Sequence, residues 1–462
     1  MKCSRQKLWR PKAVVALVLA MVVPIRGGVC AEERTGSEAA VPATVPLVPS
    51  SSSLLGGGLV EGGARVVPES EPVFVLPAIY GTTPAILTGG AGRLGKERVT
   101  LSGSVSVGYD DNVLQTPSHS LSVNGPKPVG SLFQQAGAGV QFQMFDKRSL
   151  FTMDASLGAM RYAERGGLKK DDLNGGLSAS YLYKFTPRLQ FTAQLNSAYL
   201  SQPDLSRANT PQNQLDSEFL SASTRMDLSY RWSPRFTSVV SLSDNLLKFQ
   251  SRAQQVSDFN ETIVGTELQY LIGPRCTLVG EVRAGRVVYP EDAARDSRTA
   301  YLLGGTDFRL SPRLSGTLRA GQSVRSFAGM GGGQASPHLE GSLSYRVNPG
   351  GRFTMQTRLG FEEPGAAGQE RQVWRTSVSY VQALSARLSA YAGVNYLHQT
   401  DRGIGGGEAQ GSDTVEGSVR LQYFLTRRVS FNAGCTHTML RATQAGRDYA
   451  RNRMSLGMEY QF

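Results

Sequence analysis

The last ten residues, RMSLGMEYQF, alternate without a break. Met454, Leu456, Met458, Tyr460 and Phe462 fall on one face, and Arg453, Ser455, Gly457, Glu459 and Gln461 on the other. A period of two with one apolar face predicts a β-strand lying between two different environments. An early segment, VTLSGSVSVGY, repeats the pattern with Val99, Leu101, Val105, Val107 and Tyr109 against Thr100, Ser102, Ser104 and Ser106. Between them the chain is punctuated at intervals of roughly 35 to 50 residues by MFDKRSLF, KFTPRLQF, RWSPRFTS, LIGPRCTL, RLSPRLSG, VNPGGRFTM, ALSARLSA and FLTRRVSF. Most of these marks carry an apolar residue, a Ser, Thr, Gly or Pro pair, an Arg, and then a new alternating run, which is tight-hairpin chemistry. The far ends of the hairpins are longer and richer in Gly, Asp and Gln.

Eight tight turns, with one strand before the first and one after the last, imply 18 strands and nine long loops. Short turns at one end, long loops at the other and one-sided strands predict an all-β fold, a transmembrane antiparallel β-barrel. A propeller also repeats at this period, but the strands are too long and one-sided for blades and no blade signature recurs.

Other parts of the chain fit a secreted barrel. Residues 1–31 have a basic start, an apolar stretch near Ala13 to Ile25 and small residues at Val29-Cys30-Ala31, and read as a secretory signal. A lipid-modified Cys30 is the alternative, which Arg26 and Val29 fit poorly. Residues 32–97, rich in Pro, Gly and Ser, read as a flexible periplasmic tail, and 98–462 as the barrel. The formal charge of +12 includes six basic residues and no acid within 1–31. What remains is too sparse for binding a phosphate backbone, so no nucleic acid is expected. Past the signal, no apolar run approaches the roughly 18 residues of a membrane helix. Only Cys276 and Cys435 lie beyond the signal, on separate strands, and are expected to be free buried thiols. No His/Cys cluster suggests a metal, and no cofactor is implied.

On the apolar face, aromatics gather near the turns (Tyr181, Tyr183, Phe185, Tyr230, Trp232, Tyr270, Phe308, Tyr345, Tyr423, Tyr460, Phe462) and near the loops (Tyr109, Tyr162, Tyr199, Tyr289, Trp374, Tyr396). Two such girdles are expected where rings settle at both headgroup levels. The other face is polar. Its charged members, Arg225, Asp227, Arg231, Glu281, Arg283, Asp307, Arg309, Arg319, Glu340, Arg346, Arg358, Arg375, Glu416, Arg420, Arg451 and Arg453, are candidates for lining a wet lumen. Many can pair with a neighbouring strand. As a set the arginines outnumber the acids, and a lumen with excess positive charge should favour anionic solutes.

Catalysis by a Ser/His pair would need an oriented histidine. His119 and His398 fall in or near loops, His338 is placed at a strand start, and His437 on the lipid-facing register; no nucleophile motif accompanies any of them. No enzymatic role is expected. The Gly-rich GMGGGQ at 329–334 reads as a loop, because no strand-to-helix context makes it a phosphate cradle.

The first strand closes in GYDDNVLQTP. Tyr109, Asp110, Asp111, Asn112 and Val113, with the repeated TPR and SPR turns and the terminal MEYQF, resemble the β-barrel porins of exopolysaccharide-associated outer-membrane proteins, although Leu114 stands where an aromatic often follows. That resemblance implies an outer-membrane location, with export or organisation of surface polysaccharide for some members, and supplies no catalytic residues. The expected function is passive passage of polar solutes, with saccharide or exopolysaccharide among them; the alternative is a structural or adhesive barrel plugged by its loops or tail. Expected partners are outer-membrane lipid and lipopolysaccharide, polysaccharide export proteins, and the barrel assembly machinery, whose recognition signal Met458, Tyr460 and Phe462 resemble. Asp110, Asp111 and Asn112 are expected to line the pore mouth or to hydrogen-bond the chain as it leaves the sheet. A Ca²⁺ loop would need ligand spacing that is absent here.

Overall fold

The computed structural model describes residues 98–117, 127–167, 169–201, 218–250, 257–328, 333–363, 369–403, 409–443 and 447–462. The signal and tail readings, His119, and residues 329–332 of the Gly-rich stretch lie outside them.

Eighteen strands follow in order: β1 (Arg98–Asp110), β2 (Ser131–Phe145), β3 (Ser149–Tyr162), β4 (Asp171–Lys184), β5 (Leu189–Leu200), β6 (Phe219–Arg231), β7 (Phe236–Phe249), β8 (Phe259–Gly273), β9 (Cys276–Val288), β10 (Ser297–Ser311), β11 (Leu314–Phe327), β12 (Gly333–Asn348), β13 (Gly351–Glu362), β14 (Gln369–Ala383), β15 (Leu388–Gly403), β16 (Gln410–Phe424), β17 (Val429–Ala442) and β18 (Tyr449–Gln461). Each pairs antiparallel with its neighbours in sequence, and β1 pairs with β18, so the sheet closes on itself and has no edge. The count and order agree with the strand number read from the turn marks.

All eight marks lie at tight turns, and their local chemistry explains why. In TPR, SPR, SAR and TRR the Ser or Thr hydroxyl accepts the backbone N–H two and three residues on. Thr186 does so for Arg188 and Leu189 at 3.2 and 3.0 Å, and Ser385 for Arg387 and Leu388 at 3.2 and 3.1 Å. The hydroxyl satisfies donors that the reversing chain cannot pair in the ladder.

The barrel is apolar outside. Val105, Val107, Leu157, Val282, Leu302 and Leu456 are each more than half exposed, while the charged side chains Asp110, Glu267, Glu281, Arg319, Arg325 and Glu340 are buried. That inversion is stable only if lipid covers the outer face. Strand length agrees: 13 residues at about 3.3 Å each, tilted about 40°, rise about 33 Å, enough for an apolar band of about 25 Å.

Register corrects several expectations. Tyr162 shares its parity with inward-facing Met160, and packs with Val113 and Phe133 in a buried cluster. Tyr289, just past β9, is likewise buried inside, against Phe259. Neither belongs to the outer girdle. Trp232, Tyr270, Trp374 and Tyr423 are exposed on the outer face as expected. His338 lies well inside β12 and not at its start. Both cysteines are free, but Cys435 is exposed on the lipid-facing register and not buried.

Candidate functional site

Alternation carries the inner wall. The positions directly opposed to one another in successive ladders, Arg319 with Glu340, Glu340 with Arg358 and Arg358 with Arg375, form one row across β11 to β14. Arg225, Asp227 and Arg231 of β6, Glu281 and Arg283 of β9, Asp307 and Arg309 of β10, Arg346 of β12, Glu416 and Arg420 of β16, and Arg451 and Arg453 of β18 share that inner register. Of these, Arg346 is exposed at the turn end and Arg231 donates to the Pro187 carbonyl there, at 3.1 Å.

The wall is a set of ion pairs, some of which span more than one strand. Arg225 meets Asp227 at 2.8 Å. Arg283 of β9 holds Glu281 on its own strand at 2.7 Å and reaches past β10 and β11 to Glu340 of β12 at 2.8 Å. His338 places Nε2 2.8 Å from the same Glu340 carboxylate. Arg319 meets Asp307 at 2.7 Å and Glu267, three strands away on β8, at 3.6 Å. Arg371 and Asp401 pair across β14 and β15 at 2.7 Å, and Arg375 meets Glu362 at 2.9 Å. Interactions between strands that are not neighbours require the side chains to project from the wall and converge. A charge withdrawn from bulk water in this way costs several kcal/mol unless it is paired, and the pairing explains how so many survive. Gly305 makes room for this: a Cβ there would run into the Leu318 carbonyl and the Arg319 backbone opposite.

Near the loop end the inner wall changes character. Arg325 of β11 meets Glu363 at 2.9 Å and lies over the Phe361 ring at 5.0 Å. The Tyr289 hydroxyl donates to the same Glu363 from across four strands. Burial, and then the neighbouring Glu363 carboxylate, push the Tyr289 hydroxyl up, so it remains a neutral donor. Below it Ala198, Leu200, Phe219, Leu247, Phe249, Phe259 and Val287 form a buried apolar cluster on the inner register of β5 to β9. Glu267, Arg325, Glu363 and this cluster were not singled out from sequence. Register parity was the signal that would have found all but Glu363, which lies just past the end of β13.

The YDDN stretch lies in the seam between the first and last strands. Asp110 ends β1 directly opposite Arg453 of β18, and both oxygens of its fully buried carboxylate take Arg451 Nε at 3.0 Å. Arg453 adds a second guanidinium at 3.2 Å. Asp111 accepts the Asn452 backbone N–H and side-chain amide, each at 2.6 Å. Asn112, also buried, donates to the Thr116 and Ala450 carbonyls at 3.0 Å and accepts from the Thr116 N–H at 2.9 Å. Arg453 continues to the Tyr162 hydroxyl at 3.1 Å, tying the seam to the inner apolar cluster of β2 and β3. Asp110 and Asn112 therefore do not stand free at a pore mouth. They fasten the chain as it leaves the sheet.

The Met458–Tyr460–Phe462 series lies on the outer register. Phe462 is the most exposed large apolar side chain described, its ring packs edge-on against Tyr460 at 4.7 Å, and its N–H donates to the Leu101 carbonyl at 2.9 Å. Among the described residues no group of three or more His, Cys, Asp or Glu could hold a metal ion.

None of the curated proteins matches this chain. Among solved structures, OpdK of Pseudomonas aeruginosa, crystallised with vanillate, aligns at 12% identity with a TM-score of 0.42, over 80% of this chain and 100% of its own. OccAB4 of Acinetobacter baumannii aligns at 12% and 0.41, over 79% and 98%, and a BenF-like porin of Pseudomonas fluorescens Pf-5 at 9% and 0.42, over 80% and 100%. Residues 243–462, from within β7 to Phe462, match the family described as "Putative beta-barrel porin 2".

Proposed function

We propose that the barrel is a channel for passive passage of polar solutes across the bacterial outer membrane, with saccharide chains among its cargo. The porin family matched by residues 243–462 supports a channel in preference to an enzyme. The observation that carries the reading is the inner wall itself: charged side chains on strand after strand face inward, where only a wet interior or one another can solvate them. Hydroxyl and amide groups between them, such as Ser377 bonded to Asn395 at 2.7 Å, suit hydrogen-bonding solutes without charge. Arg358 and Arg420 face inward without an acid in ion-pair contact among the described residues, which supports a preference for anions over cations.

Single-channel recording in planar bilayers tests this. Steady open conductance, with a reversal potential of anionic sign in a salt gradient, is expected; cation selectivity would refute the anion preference, and silence from folded, heat-modifiable protein would refute the channel. The second reading, a structural barrel closed at its loop end, is favoured by the apolar cluster around Phe219 and Phe259 inside the wall. Silence would select it.

A further inference from the structure

Arg286 of β9 and Arg298 of β10 lie on the lipid-facing register, in phase with the exposed Leu278 and Val282 on one strand and Leu302 on the other. They are directly opposed in the ladder, and both are exposed. Opposed residues have Cα atoms about 5 Å apart, and like charges so placed destabilise a sheet. Neither arginine makes an ion pair or side-chain hydrogen bond among the described residues.

The arrangement departs from other charged positions on the same rim. Arg161 of β3 opposes Asp171 of β4, 3.6 Å apart, and Asp413 of β16 opposes Arg441 of β17. Both pairs are of opposite sign. Of the three acids in the loop above the arginines, Asp292 accepts the Ala294 N–H at 3.3 Å and Asp296 the Tyr289 N–H at 2.9 Å, and the exposed Glu291 makes no ion pair with either arginine among the described residues. Along the same row Asp244 is two strands from Arg286, and accepts from the Thr262 hydroxyl at 2.8 Å.

Height identifies what could neutralise the pair. From Phe308, near the turn end of β10, to Arg298 is ten residues. That is about 33 Å along the strand and about 25 Å along the membrane normal at a tilt of about 40°, the full height of the apolar band. The arginines thus stand at headgroup level on the long-loop side, which faces the outer leaflet. The anions fixed at that level are the phosphates of lipopolysaccharide. A phosphate offers several strong acceptor oxygens to two guanidinium forks, and the aliphatic Val282 and Leu302 below would meet the acyl chains.

We propose that Arg286 and Arg298 form a docking site for a phosphate of lipid A, the membrane anchor of lipopolysaccharide. The test uses the full-length protein refolded in neutral detergent, with the temperature at which the heat-modifiable band is lost as readout. Bisphosphorylated lipid A should raise this midpoint; dephosphorylated lipid A of equal acylation, and inorganic phosphate, should not. In R286Q/R298Q the shift with lipid A should disappear, whereas Arg161→Gln, on a rim position already paired, should keep it. Without lipid, R286Q should melt no lower than the parent, because it removes a repulsion. An equal response to dephosphorylated lipid A or to inorganic phosphate, or an undiminished response in R286Q/R298Q, would overturn the site. The lipid comparison needs no variant, so it decides the matter even if a variant folds poorly.

Discussion

At the scale of single residues, the most consequential group is the Asp110 carboxylate. Two arginines from the other end of the chain converge on it with no water-facing side left, so removing it takes the carboxylate from the buried Arg451 and the half-buried Arg453. Breaking a buried pair from one side costs roughly 3–5 kcal/mol. Asp110→Asn should therefore lower the unfolding free energy of the refolded barrel by an amount of that order, measured by urea titration with tryptophan fluorescence. The double variant Asp110→Asn with Arg451→Gln should lose less than the sum of the two single losses, as interacting neighbours do; strict additivity would mean that the contact contributes nothing. The sequence showed the acids of YDDN but not their partners, because Arg451 and Arg453 lie more than 340 positions away and only barrel closure brings them close. Tyr162 and Tyr289 were assigned to the wrong face for a different reason. Their position near a strand end was weighed, and their parity was not.

Among the elements, the hairpins were the most legible. A Ser or Thr two residues before the arginine marks a reversal through its own hydrogen bonds, and that local chemistry survives any context. The loop ends were less so, because their contacts are made between strands. One of them joins Lys169, before β4, to Glu218, before β6, at 2.6 Å, with the Tyr199 hydroxyl donating to the same carboxylate. The hydrogen bond from Lys169, and then that from Tyr199, hold Glu218 below the usual carboxylate range, while the bond to Glu218 raises the Lys169 ammonium. A depressed carboxylate stabilises above its unfolded pKa of about 4.3, and the benefit is lost as pH falls through its lower folded value. Amide exchange protection around residues 163–173 should thus fall in acid, less so at high salt, and Glu218→Gln should abolish that pH response; an unchanged response would remove the latch from the account. The last strand supports another expectation. Phe462→Ala touches only an exposed ring, so the variant should refold in detergent as the parent does, yet accumulate less in outer membranes if Met458, Tyr460 and Phe462 serve as an assembly signal. Equal amounts in immunoblots of membrane fractions would argue against that role.

For the whole molecule, periodicity was enough to give strand number, closure and the sense of inside and outside, because a barrel's architecture is a count of hairpins plus a parity. It was not enough to give the interior, where the chords from Arg283 to Glu340 and from Arg319 to Glu267 depend on curvature that no strand possesses alone. The seam has a further consequence in time. The contact between β1 and β18 has the largest sequence separation in the fold, and contacts of that kind form late because a long loop must first be closed. Asp110 is made early and can find Arg451 and Arg453 only when every intervening hairpin is in place. A barrel stalled before β18 would expose both a bare strand edge and an unpaired acid. The same three side chains that fasten the finished wall thereby distinguish it from every incomplete one.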